Sequence, residues 1–239
     1  MTRQLKLGIF VKTASPQVIE VLGTTKLDFV CVDAEHAPFD RAMLDLMVMA
    51  GRAANIAVFI RIAEVNPAII LSALDIGAAG LLVPHVDSAA QAVEVVAMAR
   101  YAGGTRGFSS SPRGAGYGSL GMKEALRVGD QAQVICQIES PQAVQEADAI
   151  AATPGVGGLF VGRADLALAM GLDNPRDDNV LEATRHTLAA ARKHGKLAGM
   201  HVAGNAERDQ FAALGADWFV VSSDQTLLRQ AASAIAHQD

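Results

Sequence analysis

The chain has 239 residues, 51% of them hydrophobic and 19% charged, with a net charge of −5 and a pI of about 5.7. This is a globular composition, apolar enough to bury a subunit interface, and its scattered basic residues exclude nucleic acid as the expected partner. Two cysteines give no disulfide framework, MTRQLKLGIF shows no signal-peptide core, and no run of about 18 apolar residues is free of charge, so a cytoplasmic protein that does not enter the membrane is expected.

Eight short apolar runs alternate with helical patterns along the chain. Run 5–11 precedes a short helix at 16–23, and run 29–32 a helix over 40–54 with Asp40 as N-cap. Run 57–62 precedes a helix over 66–76, with Pro67 in its first turn and Gly77 at its end. Run 80–84 leads to a helix over 88–101. The stretch 103–118, GGTRGFSSSPRGAGYG, and a short pattern at 121–127 follow. Run 134–138 precedes a helix over 140–152 with Ser140 as N-cap. Run 158–162, a helix over 180–194 ending at Gly195, run 197–200, a helix over 205–214, run 218–221 and a helix over 226–237 complete the series. Eight such units, in a chain near the roughly 250 residues typical of the architecture, predict an α/β fold. The form expected is a closed (β/α)8 TIM barrel with right-handed crossovers, one domain over 1–239. The glycine-rich stretch is long enough to suggest a functional loop lying across the barrel mouth. The alternative is an exposed loop whose arginines meet only solvent.

In such a barrel the strand C-termini open on one mouth, where active sites form. Asp33, Glu35, His36, Arg61, His85, Glu139, Asp165 and His201 stand at or just past the ends of the runs. Glu139 and Asp165, two carboxylates with no cysteine nearby, suit a hard divalent cation; otherwise each caps the helix that follows. No paired Cys or His spacing supports structural zinc. In DAEHAPFD, Asp33 can orient His36 as a general base and Glu35 can hold a metal-bound water. Arg61, in AVFIRI, is costly to bury without an anion: a substrate carboxylate, a developing enolate, or an internal partner such as Asp33 or Glu64. Lys12 is the one lysine placed for an imine, because Lys6 and Lys196 precede their strands and face the opposite end. His186, His194 and His237 fall on helices and are expected to be exposed, and Cys31 and Cys136 to be buried thiols.

DAEHAPFD, IRI, LDIGAAGLLVPHVD, RGF, QIES and GRADLALAMG occur in this order, and over roughly residues 5–230 the chain resembles the HpcH/HpaI family of metal-dependent (class II) pyruvate aldolases. The resemblance implies a barrel of the phosphoenolpyruvate/pyruvate-binding type. It implies Glu139 and Asp165 holding Mg²⁺, Mn²⁺ or Co²⁺, His36 with Asp33 as the base dyad, and Arg61 stabilising an enolate. It further places Gln137 beside bound pyruvate and the backbone amides of Ala164 and Asp165 on its carboxylate. A homo-trimer or homo-hexamer with an exchanged C-terminal helix is implied as well. Two positions depart from the better-known branch: Arg163 replaces a proline, and Lys12 replaces a small or polar residue. The implied reaction is reversible aldol cleavage of a 4-hydroxy-2-oxo acid to pyruvate and an aldehyde. The rivals are an acyl-CoA carbon–carbon lyase of the citrate-lyase-like branch, for which the chain lacks CoA-binding elements, and a non-catalytic metabolite-binding barrel.

Overall fold

The computed structural model describes residues 4–236. Eight parallel strands pair in chain order: β1 (Lys6–Val11), β2 (Phe29–Asp33), β3 (Ala57–Arg61), β4 (Gly80–Val83), β5 (Gln133–Ile138), β6 (Gly158–Val161), β7 (Leu197–Val202) and β8 (Trp218–Ser223). β8 pairs back onto β1 and closes the barrel. The predicted (β/α)8 architecture is what the chain forms.

Around the barrel run α1 (Pro16–Gly23), α2 (Arg41–Ala53), α3 (Pro67–Asp75), α4 (Ala89–Ala99), α5 (Met122–Gly129), α6 (Pro141–Gln145), α7 (Ala147–Ala152), α8 (Arg163–Ala169), α9 (Asp178–Lys193), α10 (Asn205–Ala213) and α11 (Asp224–Ala236). Their starts are chemically marked. Asp40 accepts from the Met43 N–H at 2.7 Å, Asn66 from Ala68 at 2.8 Å, Ser88 from Gln91 at 3.2 Å and Ser140 from Ala143 at 3.0 Å. The helix expected over 140–152 is two, separated at Glu146. The apolar pattern sets no bounds for α8, whose seven residues are too few to show a helical period, and Asp165 lies inside its first turn rather than at its cap. The predicted final helix begins two residues earlier, and its end at His237 lies outside the described residues. His186 is exposed, whereas His194 is half-buried, its Nε2 3.1 Å from Asp148 Oδ1.

The barrel is filled by rings. Phe10, Phe29, Phe59, Phe160 and Trp218 pack with Cys31, Leu82, Ile135 and Val220 inside the strands, and Phe29 stacks on Trp218 with centroids 4.2 Å apart. Gly8 permits this plug, since a Cβ there would fall within the Phe29 ring. Losing Trp218 to alanine would cost about 3–5 kcal/mol. A second, larger core lies between the strands and the helices. Cys31 and Cys136 are buried free thiols, pushed up to about 12, chiefly by burial.

The glycine-rich stretch matches neither expectation. It joins α4 to α5, and a helix-to-strand connection returns the chain to the N-terminal face of the barrel, away from the mouth. Its arginines are buried rather than solvated. Arg106 bonds Asp75 at 2.9 Å and stacks on Tyr101. Arg113 bonds Asp45 at 2.5 and 3.1 Å and the carbonyl of Ile76 at 2.9 Å. The segment is a clasp between α2, α3 and the strand starts. Among the described residues, no helix is long and apolar enough to cross a membrane.

Candidate active site

Strand register sets the first contact. Asp33 ends β2 opposite Arg61, which ends β3. The two exchange a bidentate pair, Nε to Oδ1 at 2.9 Å and Nη2 to Oδ2 at 2.7 Å, with Asp33 wholly buried and Arg61 6% exposed. Burial alone would raise the Asp33 carboxyl, but the hydrogen bonds and charge of Arg61 outweigh it and hold the group below its ordinary value. Burial would likewise depress the guanidinium, yet Asp33 holds it above its ordinary value. Asp33 also accepts the N–H of Glu35 at 3.3 Å and of His36 at 3.2 Å, and Lys12 Nζ lies 3.1 Å from its Oδ2. The carboxylate therefore reaches His36 through the main chain. The acid beside the His36 ring is Glu35, with Oε2 3.6 Å from Nε2. Arg61 pairs with Asp33 and, at 3.3 Å, with Glu35; Glu64 is not its partner. Burial raises the Glu35 carboxyl, partly offset by Arg61.

Glu139 is the second centre. The residue after it, Ser140, caps α6, which leaves the Glu139 carboxylate for the mouth. Its Oε1 accepts the His85 N–H at 2.7 Å and lies 3.0 Å from His85 Nδ1; its Oε2 accepts from Gln137 Nε2. His85 holds a left-handed φ of 56°, a strain that sets its N–H on Glu139. His85 Nε2 in turn lies 3.6 Å from Glu35 Oε1, linking the two centres. Gly162 stands against this group: a Cβ there would press on Glu139 Oε2 at 2.9 Å and Gln137 Nε2 at 3.2 Å. Three residues on, Asp165 sits in the first turn of α8.

The donor set fits a hard divalent cation. The Glu139 carboxylate lies against Gly162, Asp165 lines the cavity three residues on, and among the described residues the buried Gln137 Oε1 has no hydrogen-bond partner. Among the described residues no group of three or more His, Cys, Asp or Glu side chains could hold a metal.

These elements open on a cavity of about 620 Å³, within the range of small-molecule sites. His36, Arg61, Gln137, Ala164, Asp165 and His201 line it, whereas Asp33, Glu35, His85 and Glu139 do not, Glu139 lying against Gly162. His201 stacks on Phe10 at the cavity, and Arg61 lies over the same Phe10 ring. Burial and the charge of Arg163 lower the His201 imidazole to about 4, although the residue is exposed at the cavity.

The opposite wall comes from β7, β8 and the segments after α8. Arg163 bonds Glu207 at 2.8 Å and the His201 carbonyl at 3.3 Å, and lies over Phe211. Burial raises the Glu207 carboxyl, but the Ala203 N–H and Arg163 bring it below its ordinary value. Arg176, Ser222, Ser223, Thr226 and Gln230 complete this side. Asp224 accepts the N–H of Lys12 at 2.9 Å and of Thr13 at 3.0 Å, tying α11 to the loop after β1. The hydroxyls at the end of β8 were findable from the strand-end rule; Arg176, in the irregular DNPRDD, carries no local signal.

A profile of the HpcH/HpaI aldolase/citrate lyase family matches residues 6–231. The chain is 38% identical over 235 residues, 98% of its length and 91% of the relative's, to a 5-keto-4-deoxy-D-glucarate aldolase of Klebsiella pneumoniae. Similar structures include an HpcH/HpaI aldolase/citrate lyase family protein of Burkholderia cenocepacia, with a TM-score of 0.92, 32% identity, and coverage of 98% of this chain and 94% of that one. An HpcH/HpaI aldolase of Desulfitobacterium hafniense matches with a TM-score of 0.90, 26% identity, and coverage of 99% and 94%.

Proposed function

The chain belongs to the HpcH/HpaI aldolase/citrate lyase family, and on that premise we propose that its mouth carries out metal-dependent, reversible aldol cleavage of a 4-hydroxy-2-oxo acid to pyruvate and an aldehyde. One observation supports this reading: an exposed imidazole, His36, a buried guanidinium, Arg61, the Gln137 amide and the Asp165 carboxylate line a single cavity. The aldolase name of the curated relatives favours aldol chemistry over the acyl-CoA and non-catalytic alternatives and points to a hydroxylated sugar acid.

Glu139 and Asp165 would hold Mg²⁺, Mn²⁺ or Co²⁺, with Gln137 beside the bound 2-oxo acid. When bound, the cation supplies Lewis-acid polarisation of the keto group. His36 takes the proton of the 4-hydroxyl as the C3–C4 bond opens, and the electron pair of that bond passes toward the keto oxygen. Arg61, held in place by Asp33, balances the charge growing there. The backbone amides of Ala164 and Asp165, in the first turn of α8, receive the 2-oxo acid's carboxylate. Protonation at C3 then yields pyruvate. Lys12 stays beside Asp33 as an ion-pair partner rather than forming an imine.

A homo-trimer or homo-hexamer fits α11, which buries no residue within one chain while exposing Leu227, Leu228 and Ile235. Buried free thiols fit a reducing cytoplasm. The test is pyruvate release from a 4-hydroxy-2-oxo sugar acid. Activity should vanish with a chelator, return with Mg²⁺, Mn²⁺ or Co²⁺, and survive borohydride plus pyruvate. Turnover that persists in chelator, or a trapped Lys12 adduct, refutes the reading.

A further inference from the structure

Two carboxylates stand near the His36 base, and their free acceptor sites tell them apart. Asp33 is saturated. Its Oδ1 accepts from Arg61 Nε at 2.9 Å, from the Glu35 N–H at 3.3 Å and from the His36 N–H at 3.2 Å. Its Oδ2 accepts from Arg61 Nη2 at 2.7 Å and faces Lys12 Nζ at 3.1 Å. A carboxylate offers about four lone-pair sites, so this wholly buried group has none left for the His36 ring.

Glu35 is the opposite case. Its side chain is 12% exposed, and among the described residues its buried Oε2 has no hydrogen-bond partner. Arg61 Nη1 lies 3.3 Å from that oxygen, but the same guanidinium is already committed to Asp33. The other neighbour of Oε2 is His36 Nε2, at 3.6 Å. On the far side Oε1 faces His85 Nε2 at 3.6 Å, and Glu139 adds a like charge. A buried acceptor left open costs free energy and calls for a function. Contacts around a catalytic base are commonly long until substrate tightens them.

Resting on the aldolase reading above, we propose that Glu35, and not Asp33, is the positioning acid of His36. Its Oε2 accepts the Nε2–H of the ring and leaves Nδ1 as the atom that takes the proton of the 4-hydroxyl. The imidazolium then forms beside a negative charge, and no proton passes to Glu35. Asp33 keeps one task, which is to hold Arg61.

The experiment is a double-mutant cycle on pyruvate release from a 4-hydroxy-2-oxo sugar acid. Glu35→Gln keeps the size of the side chain and removes its charge. It should lower kcat by about 10²-fold, the lower end of what acid–base catalysis contributes. KM and the calorimetric affinity for Mn²⁺ should stay within about twofold of the wild type. Glu35→Asp should recover part of the loss. In a His36→Ala background Glu35→Gln should lower kcat by less than about twofold, because the acid acts through the missing ring. Asp33→Asn, which acts through Arg61, should cost the same factor in both backgrounds. No loss from Glu35→Gln, an equal loss in both backgrounds, or a fall in Mn²⁺ affinity alongside kcat overturns the assignment while leaving the aldolase reading intact. Wild-type kcat in His36→Ala overturns both.

Discussion

Asp33 and Arg61 sit directly opposite each other at the ends of neighbouring strands and share two hydrogen bonds of 2.9 and 2.7 Å with almost no solvent. The pair is a structural tie and, on the proposed mechanism, the mount for the guanidinium that serves the reaction. Arg61→Ala should therefore cost on both accounts. It leaves a buried carboxylate with Lys12 as its remaining ionic partner, a loss of about 3 kcal/mol in denaturant unfolding, and it lowers turnover by roughly 10² or more. Wild-type turnover in a folded variant would remove Arg61 from the mechanism.

His36 should separate the two effects. Its side chain is 53% exposed, with the ring 3.6 Å from the Glu35 carboxylate. His36→Ala should unfold within about 0.5 kcal/mol of the wild type while turnover falls by roughly 10²–10⁴. Thermal melts and pyruvate release, measured together, check the split.

Cation affinity should depend on the Glu139 and Asp165 carboxylates. Glu139→Gln or Asp165→Asn should weaken Mn²⁺ binding in calorimetry by more than the 10–100-fold lost when an outer hydrogen-bond partner of a metal ligand is removed. Unchanged binding in both variants would place the ion elsewhere.

Acid should expose His201. Its imidazole is lowered from 6.5 to about 4, so the unfolded chain takes up a proton before the folded one does. Its contribution to stability is complete above pH 6.5, declines as the pH falls toward 4, and is flat below that. His201→Phe, which keeps the stack on Phe10, should remove that part of the slope from a plot of unfolding free energy against pH. An unaltered slope would mean that the ring titrates normally.

The clasp at the far end of the barrel predicts the converse of His36. Arg113→Ala strips Asp45 and the Ile76 carbonyl of their donor, and should cost about 1–3 kcal/mol with kcat/KM unchanged. A fall in kcat/KM at full folding would show that the clasp is felt at the mouth.

The repeating apolar runs and the capping residues made the barrel legible, because burial on both faces of a parallel strand leaves continuous apolar segments, and eight of them alternating with helices match the units of a closed barrel. Strand-end acids and imidazoles were legible for the same reason. The Asp33–Arg61 pairing was legible only as one alternative beside Glu64, since inter-strand register decides that Arg61, rather than the His36 ring, engages both oxygens. The stretch 103–118 was misread on length alone; its place between a helix and the next strand already assigned it to the opposite face. The opposite wall escaped because serine, threonine and a loop arginine have many uses, and their meeting depends on closure of β8 onto β1.

Asp224 opens the last helix and, with the same carboxylate, fastens the backbone that carries Lys12. The tail of the molecule is thereby hinged to its chemistry, and whatever grips the outer side of that helix also steadies the rim of the reaction chamber. On the proposed assembly through that helix, association and rate share one joint, and dilution would register as lost rate before any chain unravels.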